Sequence, residues 1–209
     1  MNIVQLSPWA NDIDKNVPLI NQVTNQIQGV IKRFASSDVS GEQMRTLIDN
    51  MCEVMNFWVG STYVGCPKDK KLVKAYNAFF SAVLNWLLCL RKLPVKECNE
   101  FAEEALYQGI LHRYLGHGSA EDDIESKVEP IYNNSYVSWS KVPQVDYLEQ
   151  KLYGTRTHIT CEVQGIYYGI DLEAFGVSRP NEAEVVFPTI EETITDVKYD
   201  EWKRGEDDE

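Results

Sequence analysis

Apolar residues recur at three- and four-residue spacing through the first half of the chain and alternate in short runs through the second. Val17-Pro18-Leu19-Ile20 opens a pattern continued by Val23, Ile27, Val30/Ile31 and Phe34, positions that share one face of a 3.6-residue period. Ser40-Gly41-Glu42-Gln43 reads as a second helix start, ahead of Met44, Leu47, Ile48, Met51, Met55 and Phe57/Trp58. After a loop at residues 60–67, a third helix has lysines in its first turns (Lys68, Lys70, Lys71, Lys74) and an apolar body from Phe79 to Leu90 that includes Trp86. That breadth of apolar surface implies burial on most sides. Pro94 ends it, and residues 95–106 predict a shorter helix.

Beyond that point the period falls to two. Residues 105–111 are a first strand, residues 116–129 a charged loop, and Tyr136–Ser140 a short strand. Residues 143–152 read as a helical turn, and residues 157–163 alternate clearly enough for a strand. Residues 165–170 fit a strand or a turn, and Glu184–Phe187 form a strand with residues 192–197 as its hairpin partner. The expected class is α+β: an N-terminal helical lobe (residues 1–99) packed on a split, mostly antiparallel β-core (residues 100–198), then an acidic tail (residues 199–209). No internal repeat is visible.

Composition narrows the function classes. The formal net charge is −12, and the half beyond residue 100 carries more than the whole of it, the first half being slightly basic. An acidic half disfavours nucleic acid, whose affinity depends on Lys and Arg, and suits a basic protein partner. Much of that charge is what any solvated acidic surface would carry. The five cysteines (Cys52, Cys66, Cys89, Cys98, Cys161) form no Cys-x-x-Cys or Cys/His cluster, so no metal is expected. The first residues have neither a basic start nor an apolar core, and no apolar run of membrane-spanning length is read. The expected setting is cytoplasmic, without a membrane partner.

The densest candidate chemistry is Ser178-Arg179-Pro180-Asn181-Glu182-Ala183-Glu184-Val185-Val186-Phe187-Pro188. On an extended strand, Glu182 and Glu184 share one face, and paired carboxylates suit a reaction in which positive charge develops on substrate. Glu-x-Glu by itself is common in acidic chains. His112, His117 and His158 offer no metal spacing, and Trp58 and Trp86 fit a core better than a cofactor box. Phosphate-loop, dinucleotide and serine-hydrolase signatures are absent.

Taken in order, Leu106-Tyr107-Gln108-Gly109, Ser138-Trp139-Ser140 and Glu182-Ala183-Glu184 resemble the motifs of mono-ADP-ribosyltransferases of the toxin and bacteriophage type. These glycosyltransferases carry an Arg–Ser–Glu catalytic order and split NAD. The similarity covers about residues 100–198, and the helices match only as the kind of lobe that often precedes such a core. The resemblance implies that Glu184 stabilises the ribosyl cation as nicotinamide leaves, the electrostatic term that usually dominates. Glu182 would direct an acceptor arginine, and Ser138 would donate a hydrogen bond that holds Glu184 ionised and aimed. Tyr107, Gln108, Gly109, Ser138 and Ser140 would line the NAD site. Phe175, in the loop of residues 172–180, would meet nicotinamide or target.

One position departs. The motif arginine is Gln108, which would cost about 1.5–3 kcal/mol of a charge-assisted contact to phosphate. Arg113 lies five residues on, where strand parity aims it at the opposite face; Arg156 and Arg179 are other cations that could reach over. The resemblance therefore implies a transferase acting on a basic host protein in the host cytoplasm. Its alternatives are NAD hydrolysis, or an inactive relative that binds and inhibits a partner through its acidic face.

Overall fold

Four helices precede seven strands in the computed structural model, which describes residues 13–34, 41–60, 70–117, 135–143, 154–177 and 183–202. The helices are α1 (Ile13–Phe34), α2 (Gly41–Gly60), α3 (Lys70–Leu90) and α4 (Lys96–Ala105). The strands are β1 (Leu106–Tyr107), β2 (Gly109–His117), β3 (Tyr136–Ser140), β4 (Gly154–Val163), β5 (Gly169–Asp171), β6 (Glu184–Pro188) and β7 (Ile194–Trp202). They form one curled antiparallel half-barrel in the order β1-β5-β6-β3-β2-β4-β7.

The helices follow their apolar stripes. Ile20, Val23, Ile27 and Val30 of α1 are buried, and α1 ends on Lys32 and Arg33, cations placed at the negative end of the helix dipole. The helix runs from Ile13, ahead of the expected start, and so holds Pro18 as its sixth residue, where the ring removes one backbone hydrogen bond. Gln26 of α1 accepts from Asn50 of α2 at 2.9 Å. α3 is long and apolar enough to cross a membrane by length and composition. Here it is the central core helix, burying Phe79, Phe80, Val83, Trp86 and Leu87 among others.

Two hydrophobic clusters result. The larger joins the helices to Leu106, Tyr136, Ile170, Phe175 and Val186, so lobe and sheet share a core. The smaller gathers Leu111, Val137, Trp139, Ile159, Cys161, Val163, Val185 and Phe187 on the other face of the sheet. Burial there pushes the Cys161 thiol up to about 12, which leaves it a packing group.

Three expectations are corrected. The first strand is two: Gln108 and Gly109 break it, β1 pairing with β5 and β2 with β3 and β4. The proposed hairpin does not form, because β7 pairs with β4 rather than with β6. A short 3₁₀ turn at Glu191–Thr193, closed by Thr193 Oγ1 donating to the Ile190 carbonyl at 2.7 Å, carries the chain away from β6. Finally, β7 runs to Trp202, so strand continues into the stretch expected as acidic tail. The expected helical turn at residues 143–152 lies almost wholly outside the described residues.

Candidate active site

Strand alternation builds the site. β3 and β6 are antiparallel with Ser140 opposite Glu184 and Ser138 opposite Val186, and opposed residues share a face. Ser138, Ser140 and Glu184 therefore lie on the side of Tyr136 and Val186, which pack against the helical lobe. Val137, Trp139, Val185 and Phe187 point the other way. The order Glu-Val-Val-Phe thus puts one carboxylate beneath the lobe, with apolar residues holding both faces of its strand.

Glu184 is 3% exposed. A carboxylate taken that far from water needs compensating hydrogen bonds. Ser138 Oγ donates to its Oε1 at 2.7 Å across 46 residues of sequence. Trp58 of α2 donates its indole N–H to the same oxygen at 3.1 Å. The second donor was invisible in the sequence, where Trp58 reads as core. It is core as well, with Tyr76 and Phe80 meeting its ring edge-on at 4.9 and 5.0 Å.

The backbone around Glu184 is pinned. The Ala183 carbonyl accepts from the Lys141 amide at 3.0 Å, and the Glu184 carbonyl accepts from the Leu172 amide at 3.1 Å. Ala183 has φ +44°, a conformation that costs a non-glycine residue of order 1 kcal/mol and collects at functional sites. Lys141 also bridges Asp171 (2.8 Å) and Glu173. Burial opposes its charge, but the hydrogen bonds to these two carboxylates prevail and raise its pKa.

The motif positions around Gln108 form a kink. Gly109 has φ +145°, and a Cβ there would meet the Tyr107 hydroxyl at 2.8 Å. That hydroxyl folds over the glycine to donate to the Ile110 carbonyl at 2.8 Å, and burial raises its pKa. Gln108 Nε2 donates to the carbonyls of Gly165 (3.1 Å) and Tyr167 (3.0 Å), so its amide ties the kink to the turn between β4 and β5. The structure brings Ser138 and Glu184 together, whereas Gln108 and Tyr107 bond elsewhere.

Arg113, 6% exposed, donates its guanidinium to the backbone carbonyl of Ser138. With His112 opposite Ser140, Arg113 falls on the face of Leu111, away from the Glu184 carboxylate, as strand parity expects.

Ser140 turns its hydroxyl to Val142, donating to the carbonyl at 2.7 Å and accepting from the amide at 3.2 Å. Phe175, expected to meet nicotinamide or target, is buried with its ring edge-on to Phe101 of α4 at 5.3 Å. Glu182, Ser178 and Arg179 lie outside the described residues, as does the side chain of Arg156. His112 shares the cross-strand row of Ser140 and Glu184, about two strand spacings or 10 Å from the latter. Its Nδ1 meets His158 Nε2 at 3.1 Å, and burial lowers its pKa.

These groups can orient one carboxylate, by a hydroxyl and an indole N–H, toward a centre of developing positive charge. Among the described residues no cluster of three or more His, Cys, Asp or Glu is set to hold a metal. Comparison of the chain with protein-family models, with curated proteins and with solved structures yields no match.

Proposed function

We propose that this protein is an NAD-dependent mono-ADP-ribosyltransferase whose half-barrel is a core of that type. The observation that carries the reading is the hydrogen bond from Ser138 to Glu184, made between neighbouring strands by two residues far apart in sequence. A resting serine–glutamate pair of this kind suits glycosidic cleavage. The bond between nicotinamide and ribose C1′ breaks, nicotinamide leaves with the electron pair, and Glu184 stabilises the cationic ribose. A nucleophile then attacks C1′ and loses its proton. In this reading the nucleophile is an arginine of a basic host protein, directed by Glu182.

A second reading is favoured by two specific observations: Gln108 spends its amide on backbone carbonyls, and Glu184 is almost fully covered. Both suit a relative that has kept the fold, lost turnover and binds a partner through its acidic surface.

Labelled NAD incubated with a bacterial lysate separates the two. The native chain is expected to label protein and release nicotinamide, and Glu184→Gln to lower both by about 10³-fold. Nicotinamide without labelled protein would make the acceptor water. Folded native chain giving neither signal would move the conclusion to the binding protein.

A further inference from the structure

The helical lobe reaches the centre of the site through one atom. An indole N–H can only donate, so the oxygen it meets, Glu184 Oε1, is an accepting oxygen; any proton on this carboxyl would sit on Oε2. Ser138 donates to the same Oε1. A hydroxyl can rotate, but the Trp58 ring is 3% exposed and held by Tyr76 and Phe80, so its N–H has a fixed direction. A buried carboxylate with two donors on one oxygen loses rotational freedom. Where its other oxygen points is then decided by α2 as much as by β3.

We propose that Trp58 is a positioning residue for Glu184, so that the N-terminal lobe supplies part of the catalytic geometry. The inference rests on the transferase reading and adds a residue that its motifs do not contain. Trp58 touches no reacting atom in this scheme and acts only by holding the carboxylate in the orientation it needs as charge develops on ribose.

The test uses the full chain. Trp58→Phe keeps an aromatic ring and removes the N–H. It is expected to lower kcat for NAD cleavage by about 10- to 100-fold while KM for NAD stays within about twofold, because ground-state binding is untouched. Ile159→Val, a core change in the smaller cluster on the other face of the sheet, is the comparison: it should lower Tm and leave kcat in place. If kcat falls only in proportion to lost stability in both variants, Trp58 is structural and the inference is overturned. A measurement independent of turnover guards against a misfolded variant. In ¹⁵N-tryptophan-labelled protein, Glu184→Gln should move the Trp58 indole resonance; an unmoved resonance overturns the contact itself. A native chain that cleaves no NAD, with that resonance still coupled to Glu184, overturns the transferase reading and the positioning role with it. Cleavage abolished by Glu184→Gln but untouched by Trp58→Phe overturns the positioning role alone.

Discussion

Strands β1, β6 and β3 carry residues of both clusters, the helical lobe's on one side and the smaller on the other, while β5 adds Ile170 to the lobe's cluster. Strands β2, β4 and β7 have no described residue in the lobe's cluster and contribute to the smaller one alone. The sequence of each half reflects its surroundings. β6 is buried at Glu184 through Phe187 in succession, the continuous pattern of a doubly covered strand. β4 alternates, with Ile159 and Cys161 buried and His158, Thr160 and Glu162 turned out. An acidic residue means different things in the two places. Glu162 is exposed on the half packed on one face and carries no structural cost. Glu184 lies in the doubly covered half, where a carboxylate persists only with donors built around it.

The largest test of this contrast is in the lobe's core. Phe79 is fully buried, so Phe79→Ala should cost about 3–5 kcal/mol in denaturant unfolding. Leu111, equally buried but in the smaller cluster, should cost toward the lower end of about 2–5 kcal/mol on change to alanine. Equal losses would mean that the two clusters behave as one core.

A smaller effect is expected where β5 meets β6. A Cβ on Gly169 would come within 2.5 Å of Val185 Cγ1, and a β-branched side chain cannot easily turn aside. Gly169→Ala should destabilise by about 1–3 kcal/mol, and Val185→Ala in the same chain should recover part of that. Purely additive losses in the double-mutant cycle would remove the steric explanation.

The smallest effect concerns the more open half. Burial holds the His112 pKa below the ordinary 6.5, so between the two values the unfolded chain binds more protons. Stability from this group is present above about pH 6.5 and is lost as pH falls toward the folded value. His158 meets it directly, Tyr114 stacks on His158, and Lys198 and Asp196 face the same β4 rows from β7. Thermal unfolding between about pH 7 and pH 5 should weaken less in His112→Gln than in the native chain; parallel curves would place the titration elsewhere.

The helices were legible because their stripes are long: the expected starts of α2 and α4 agree with the structure to within a residue, and α3 begins where its lysines do. β3 and β6 were legible from turn residues and apolar runs. The break at Gln108 was not, because alternation continues through it; Gly109 was the available signal, since its positive φ separates β1 from β2. The fate of residues 192–197 was also hidden, because β4 is distant in sequence and nothing local specifies it as the partner. At the site, the serine–glutamate pair could be read from motif order alone. Trp58 could not, as no sequence pattern separates a core indole from one whose N–H meets a carboxylate.

The single register pair between β2 and β3 among the described residues also has a kinetic meaning. Backbone amides of β2, β4 and β7 are tied mainly to one another, and those of β1, β5, β6 and β3 likewise, so the sheet has a seam at His112 and Ser140. In native-state hydrogen exchange the two groups should open as separate cooperative units, the lobe-backed strands protected longer. Arg113, bonded across that seam to Ser138, would then be the rivet that sets how often the two units part.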